Sequence, residues 1–133
     1  MGGFVVFPKI KDFVEVDNVP FSLTIKEQQY GLMNKNEPSF MVFLYKEACI
    51  PKFWMKNTPQ VLDIVFCDIN SNISLIKKGK SFDETLIESI VPSKFVIEAP
   101  FGFCKKNGIH LGDRVKLKYD KIILNNILRY WSL

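Results

Sequence analysis

The sequence predicts a mainly β fold: one antiparallel β-sandwich or half-barrel-like domain, with one or two short helices and a C-terminal extension. Three observations predict it. Apolar runs of strand length recur, Phe40–Tyr45 and Val61–Cys67 foremost, each bounded by turn-forming residues. Arg114–Tyr119 alternates basic and apolar residues with the period of a half-exposed strand. The 133 residues are 47% apolar and 14% aromatic, twelve of them Phe, which is material for one domain with a thick core.

Taken in order, residues 4–7 and 13–16 are β-prone runs divided by Pro8 and lysines, so residues 1–20 read as an N-terminal extension or peripheral strand. Phe21–Thr24 is a further strand candidate. A helical turn through Lys26–Tyr30 ends at Gly31, as glycine commonly ends helices. Residues 34–39 are loop by composition. Phe40–Tyr45 is a central strand. Val61–Cys67 is another, and the turn residues Asp68–Asn72 join it to Ile73–Ile76 as a hairpin. Lys77–Ser89 is polar and acidic, a surface excursion. Phe95–Glu98 is a strand closed by Pro100. Residues 102–107 form a short helix with Gly108 beyond its end and lysines in its last turn, where they favour the helix dipole. In Arg114–Tyr119, Val115, Leu117 and Tyr119 point inward and the basic residues guard the edge.

The stretch FWMKNTPQVLDIVFCD, residues 53–68, concentrates the chemistry. Alternation puts Leu62, Ile64 and Phe66 on one strand face and Val61, Asp63, Val65 and Cys67 on the other. Both faces are apolar except at Asp63, whose carboxylate needs a hydrogen-bond partner there. The Trp54 indole, Lys56, Asn57 and Thr58 are the candidate donors, in a loop that folds back over the strand. Asp63 then reads as a structural acid pinning that loop, or as part of a binding or catalytic site.

Other chemistries find little footing. The net charge of +4 is modest, the lysines are spread, and no nucleic-acid motif is present. Cys49, Cys67 and Cys104 lack CxxC spacing and there is one histidine, His110, so no metal site and no cofactor is expected. No Gly-rich loop opens a helix to hold phosphate. No stretch is long and apolar enough to span a membrane or serve as a secretion signal, which predicts a cytoplasmic protein without membrane partners. Lysine outnumbers arginine sixteen to two and alanine is scarce, a bias of A/T-rich genomes that include many bacteriophages. A virion location is the alternative.

The motifs together resemble the domain of unknown function 192 family. GLM at 31–33, the FMVF run, FWMKNT with the following Leu-Asp pair, FVIEAPFG at 95–102 and NGIHLGDRV at 107–115 agree with it in order and spacing. The likeness covers roughly Phe21–Leu117, which sets residues 21–119 as the domain and 120–133 as an extension. It implies a small, mainly antiparallel β-sandwich and no established activity. The family positions fall on Gly31, Leu32, Met33, Phe53, Trp54, Met55, Lys56, Asn57, Thr58, Leu62, Asp63, Glu98, Gly102, Gly108, Gly112 and Asp113. Departures are Gln28, Gln29 and Tyr30 where members carry arginines, and Val61 where members carry proline. Many members are exported.

The functional reading that follows is a binding module. Trp54, Met55, Lys56, Asn57, Thr58, Asp63 and Glu98 line its groove for an unknown small ligand or protein partner. A structural or assembly protein of a phage particle is the alternative. A third reading is an enzyme using Asp63 and Glu98 as paired carboxylates, should their strands pair. The extension Asp120–Leu133 is too apolar for disorder. As a helix capped by Asp120 it stacks Leu124, Ile127, Leu128 and Trp131 on one stripe. A hairpin at Asn125-Asn126 is the alternative. The stripe enlarges the domain's own core or docks on another subunit, making a homo-oligomer or assembly through Leu124, Leu128, Tyr130 and Trp131.

Overall fold

The computed structural model describes residues 2–8, 13–24 and 31–131. In chain order the strands are β1 (Gly3–Pro8), β2 (Phe13–Val19), β3 (Phe21–Ser22), β4 (Met41–Cys49), β5 (Lys52–Phe53), β6 (Leu62–Cys67), β7 (Ile73–Gly79), β8 (Ile87–Glu88), β9 (Ser93–Pro100) and β10 (Lys116–Lys118). Helix α1 (Phe103–Lys106) follows β9, and α2 (Lys121–Trp131) follows β10. The helical turn expected through Lys26–Tyr30 lies outside the described residues.

A five-stranded sheet in the order β3-β4-β9-β6-β7 is the centre of the molecule. Its pairs are antiparallel except β3 with β4. A three-stranded antiparallel sheet, β10-β1-β2, and a two-stranded ribbon, β5-β8, complete the fold. It is the mainly β sandwich-like architecture that the strand runs predict, with no closed barrel among the described strands.

The period-2 alternation of the inner strands sorts their side chains into two cores. Val42 and Leu44 of β4, Val65 and Cys67 of β6, and Phe95 and Ile97 of β9 face one way. They meet Val5 and Phe7 of β1 and Val19 of β2. Phe43, Leu62, Ile64, Phe66 and Val96 face the other way and are covered by Leu32, Phe53 and Met55. β6 is buried along its whole length, as its uninterrupted apolar run requires. The predicted hairpin is β6-β7. Asp68 ties its turn by accepting from the Asn70 and Asn72 backbone N–H groups at 2.9 and 3.0 Å.

Several expectations are corrected. The N-terminal residues are no peripheral appendage: Val5, Phe7 and Val19 are each 1% exposed, because a sheet with one apolar face must be covered. Residues 87–88 are not merely an excursion, since they pair with β5. Tyr119 is not inward but exposed, its ring edge-on to Phe21 at 5.7 Å.

The extension is a helix, capped as its first residue suggests. Asp120 Oδ1 accepts from the Ile123 N–H at 2.8 Å. Its buried stripe differs from the expected one. Ile123 is buried, and Ile127 and Trp131 pack against the first core, a set with i, i+4, i+8 spacing. Leu124, Leu128 and Tyr130 are exposed. Trp131 therefore belongs to the domain's own core rather than to an outward-facing anchor, and its indole N–H reaches the Leu23 carbonyl at 3.4 Å.

Candidate functional site

The second core is not fully closed. Where β4 and β9 pass under residues 31–33 and 49–58, a cleft of about 800 Å³ opens. Its walls carry Trp54, Lys56, Asn57 and Thr58 on one side and Gly31, Leu32 and Met33 on the other. Phe43, Tyr45 and Glu98 also line it, and Cys49 and Lys52 complete the rim of the β4–β5 connection.

Local chemistry fixes the overhanging loop. Phe53 anchors it, with its ring edge-on to Phe43 at 5.0 Å and to Phe66 at 5.8 Å. β5 is held to β8, and the Met55 N–H donates to the Asp83 carbonyl at 2.7 Å. Asn57 takes a left-handed φ of 54°, a conformation that asparagine tolerates better than most residues. Its carbonyl then accepts from the Asn34 N–H at 2.7 Å, which joins the two walls of the cleft. Gln60, 8% exposed, adds a second tie. Its Oε1 accepts from the Ser39 N–H and its Nε2 donates to the Lys35 carbonyl, both at 3.1 Å. The Thr58 hydroxyl donates to the Lys56 carbonyl at 3.1 Å.

Glu98 is the chemical centre of this cleft. It sits on β9 opposite Met41 of β4 and Ile64 of β6, so its sheet neighbours are apolar. It is 4% exposed, and among the described residues no hydrogen bond or ion pair reaches its carboxyl. Burial raises its pKa from 4.5 to about 8. Gly31 lets the chain pass close above it. A Cβ at that position would stand 3.3 Å from the Phe43 ring and 3.6 Å from Glu98 Oε1, on a backbone with φ of 48°. Burial first, and then the nearby Cys49 and Glu98, push the Tyr45 phenol well above its ordinary range. Burial also raises the Cys49 thiol. Lys56 lies over the Trp54 ring at 5.1 Å.

The cleft thus gathers Trp54, Lys56, Asn57, Thr58 and Glu98 from the predicted set. It does not gather Met55 or Asp63. Met55 is 1% exposed and fills the second core beside Gly79. Asp63 lies on the opposite face of the central sheet with Val65 and Cys67. It is buried, as expected, but its partner is different. Its Oδ2 accepts from the Cys104 N–H at 3.0 Å, and among the described residues no hydrogen bond joins it to Trp54, Lys56, Asn57 or Thr58. Helix α1 has Gly102 as its cap residue and no side-chain cap of its own, so Asp63 satisfies one of its free N–H groups from across the fold. The carboxylate pair is also undone. The strands of Asp63 and Glu98 do pair, but in the register Asp63↔Ala99 and Ile64↔Glu98, which sends the two side chains to opposite faces.

A family model described as DUF192, Uncharacterized ACR, matches residues 9–117. The chain belongs to this family. A DUF192-like fold recurs in solved structures. A protein of unknown function from Novosphingobium aromaticivorans is 28% identical, with a TM-score of 0.80 over 85% of this chain and 83% of that one. A protein from Sinorhizobium meliloti, described as a candidate transcription regulator, is 24% identical. Its TM-score is 0.82 over 88% of this chain and 94% of that one, a likeness of fold alone. No curated protein matches in sequence. The DUF192 motif residues divide between two tasks here. GLM, the FWMKNT loop and Glu98 surround the cleft or its core, while Asp63 and Gly102 serve the α1 end. Tyr45, Cys49 and Lys52 line the cleft unforeseen. For Tyr45 a signal was present: it alternates in phase with Phe43 along β4. No helix of the described residues is long and apolar enough to cross a membrane.

Proposed function

We propose that this domain is a binding module whose small ligand enters the cleft between residues 31–33 and 49–58 and meets Glu98 at its floor. The observation that carries this reading is the Glu98 carboxyl itself, buried among apolar neighbours with no partner among the described residues. Burial strips this carboxyl of most of its hydration, so a ligand that hydrogen-bonds it in the cleft is favoured. The surroundings suit such a ligand: a volume of about 800 Å³, aromatic and aliphatic walls, and a few placed polar groups. The paired-carboxylate enzyme loses its motivation, because Asp63 and Glu98 face apart.

A thermal-shift screen against a chemically diverse set of small molecules tests the reading. At least one compound should raise the melting temperature of the wild type, as any ligand of the native state does. The same compound should leave Trp54→Ala and Glu98→Ala unmoved. A hit whose effect survives both substitutions would place binding elsewhere and defeat the proposal.

A further inference from the structure

We propose that the ligand of this cleft is an uncharged, sugar-like polyol, with its ring against Trp54 and its hydroxyls on Glu98 and Asn57. This rests on the binding-module reading and narrows it to one chemical class.

The charges of the cleft argue for a neutral occupant. Glu98 is the acidic group among the described lining residues, and it is at the floor beside Leu32 and Phe43. The cations Lys52 and Lys56 are exposed at the entrance. An anion drawn in by the lysines would leave water for a floor whose carboxyl is protonated at neutral pH and offers it no countercharge. A cation would have to pass the lysines and deprotonate that buried carboxyl to form an ion pair, where desolvation cancels much of the attraction. A hydroxylated neutral ring meets neither conflict.

The polar groups argue for hydroxyls in particular. A protonated carboxyl presents one donor and one acceptor, as a hydroxyl does, so each can bond the other in both directions. Glu98 is in that form at neutral pH, since burial raises its pKa to about 8. Of the other titratable groups lining the cleft, the Tyr45 phenol and the Cys49 thiol of β4 are both raised by burial and neutral there, and Lys52 and Lys56 at the entrance are the cations. The Asn57 side chain is exposed on the cleft wall and also offers both a donor and an acceptor. Trp54 supplies the apolar surface. It is 40% exposed in the wall of the cleft, while its neighbours Phe53 and Met55 are buried. A pyranose, with one C–H face and a rim of hydroxyls, matches a flat indole beside placed amide and carboxyl groups.

The test is a ¹H–¹⁵N NMR titration of the whole chain at about pH 6. The neutral probes are glucose, galactose, N-acetylglucosamine and maltose. The charged probes are glucosamine, spermidine, glucose 6-phosphate and citrate. At least one neutral sugar should shift the amides of residues 54–58 and the Trp54 indole. Trp54→Ala should weaken it by about ten-fold or more, on the order of 1.4 kcal/mol. Glu98→Gln keeps a donor and an acceptor and should hold the affinity within about three-fold. Wild-type affinity should fall as pH rises past about 8, and that of Glu98→Gln should not. If only glucosamine or spermidine binds at the cleft and Glu98→Gln abolishes it, the ligand class is cationic and the sugar proposal is wrong, though the cleft remains a binding site. Cleft binding of glucose 6-phosphate or citrate alone overturns it in the same way. Silence from all eight probes also overturns the sugar proposal, while the broader thermal-shift screen decides the binding-module reading separately.

Discussion

Two carboxylates, one residue apart in the sheet register, have opposite environments and so opposite consequences for stability. Glu98 has a folded pKa of about 8, above its ordinary 4.5. The folded state therefore holds a proton that the unfolded state releases as pH rises through that interval. Its contribution to stability is greatest below about 4.5, falls with rising pH, and levels off above about 8. Glu98→Gln removes the ionisation and should raise the melting temperature at about pH 9 relative to wild type, with little difference at about pH 5. Thermal melts at the two pH values check this, and an equal effect at both would contradict it. Asp63 behaves otherwise, because the Cys104 N–H holds it. Asp63→Ala removes that buried hydrogen bond and should cost about 1–3 kcal/mol in urea unfolding. Asp63→Asn keeps an acceptor oxygen and should cost less. Burial of Asp63 was legible from its place on an apolar strand face. Its partner was not, because the donor is a backbone N–H 41 residues away and backbone donors leave no mark in a sequence.

At the scale of elements, alternation was the most informative signal. The division of Leu62, Ile64 and Phe66 from Asp63, Val65 and Cys67 is the division between the two cores. The β5-β8 ribbon was hidden, since two-residue strands carry no period. Helix α2 was legible from Asp120 and its apolar spacing, but its orientation was not. Its apolar arc runs from Ile123 round to Leu128 and is wider than the surface that covers it, so the domain takes the Ile123, Ile127, Trp131 side. Truncation after Tyr119 removes this packing. Ile123 alone is worth about 1.5–3 kcal/mol when buried, and Ile127 and Trp131 add to it. The shortened chain should melt at a clearly lower temperature, and Leu124→Lys should be within about 0.5 kcal/mol of wild type because that side chain is exposed. A truncated chain as stable as the full one would show that the packing of α2 contributes nothing.

At the scale of the whole molecule, the fold was legible because inner strands, hairpin turn and helix stops each carry their own local pattern. The cleft was legible only in part. Trp54, Lys56, Asn57 and Thr58 are neighbours in sequence, and their mixture of chemistries marks them. Glu98 joins them through the register of three strands, Met41↔Glu98 on one side and Ile64↔Glu98 on the other, and register is not written in any single strand. A slip of one residue would turn Glu98 to the other core. In this structure the fold holds this carboxyl in an apolar cleft without a partner among the described residues. The most direct test is a ¹³C NMR titration of the Glu98 side-chain carboxyl in the ligand-free protein. The midpoint should lie near 8. A midpoint at or below the ordinary 4.5 would mean that the carboxyl is solvated or already paired, and would contradict this reading.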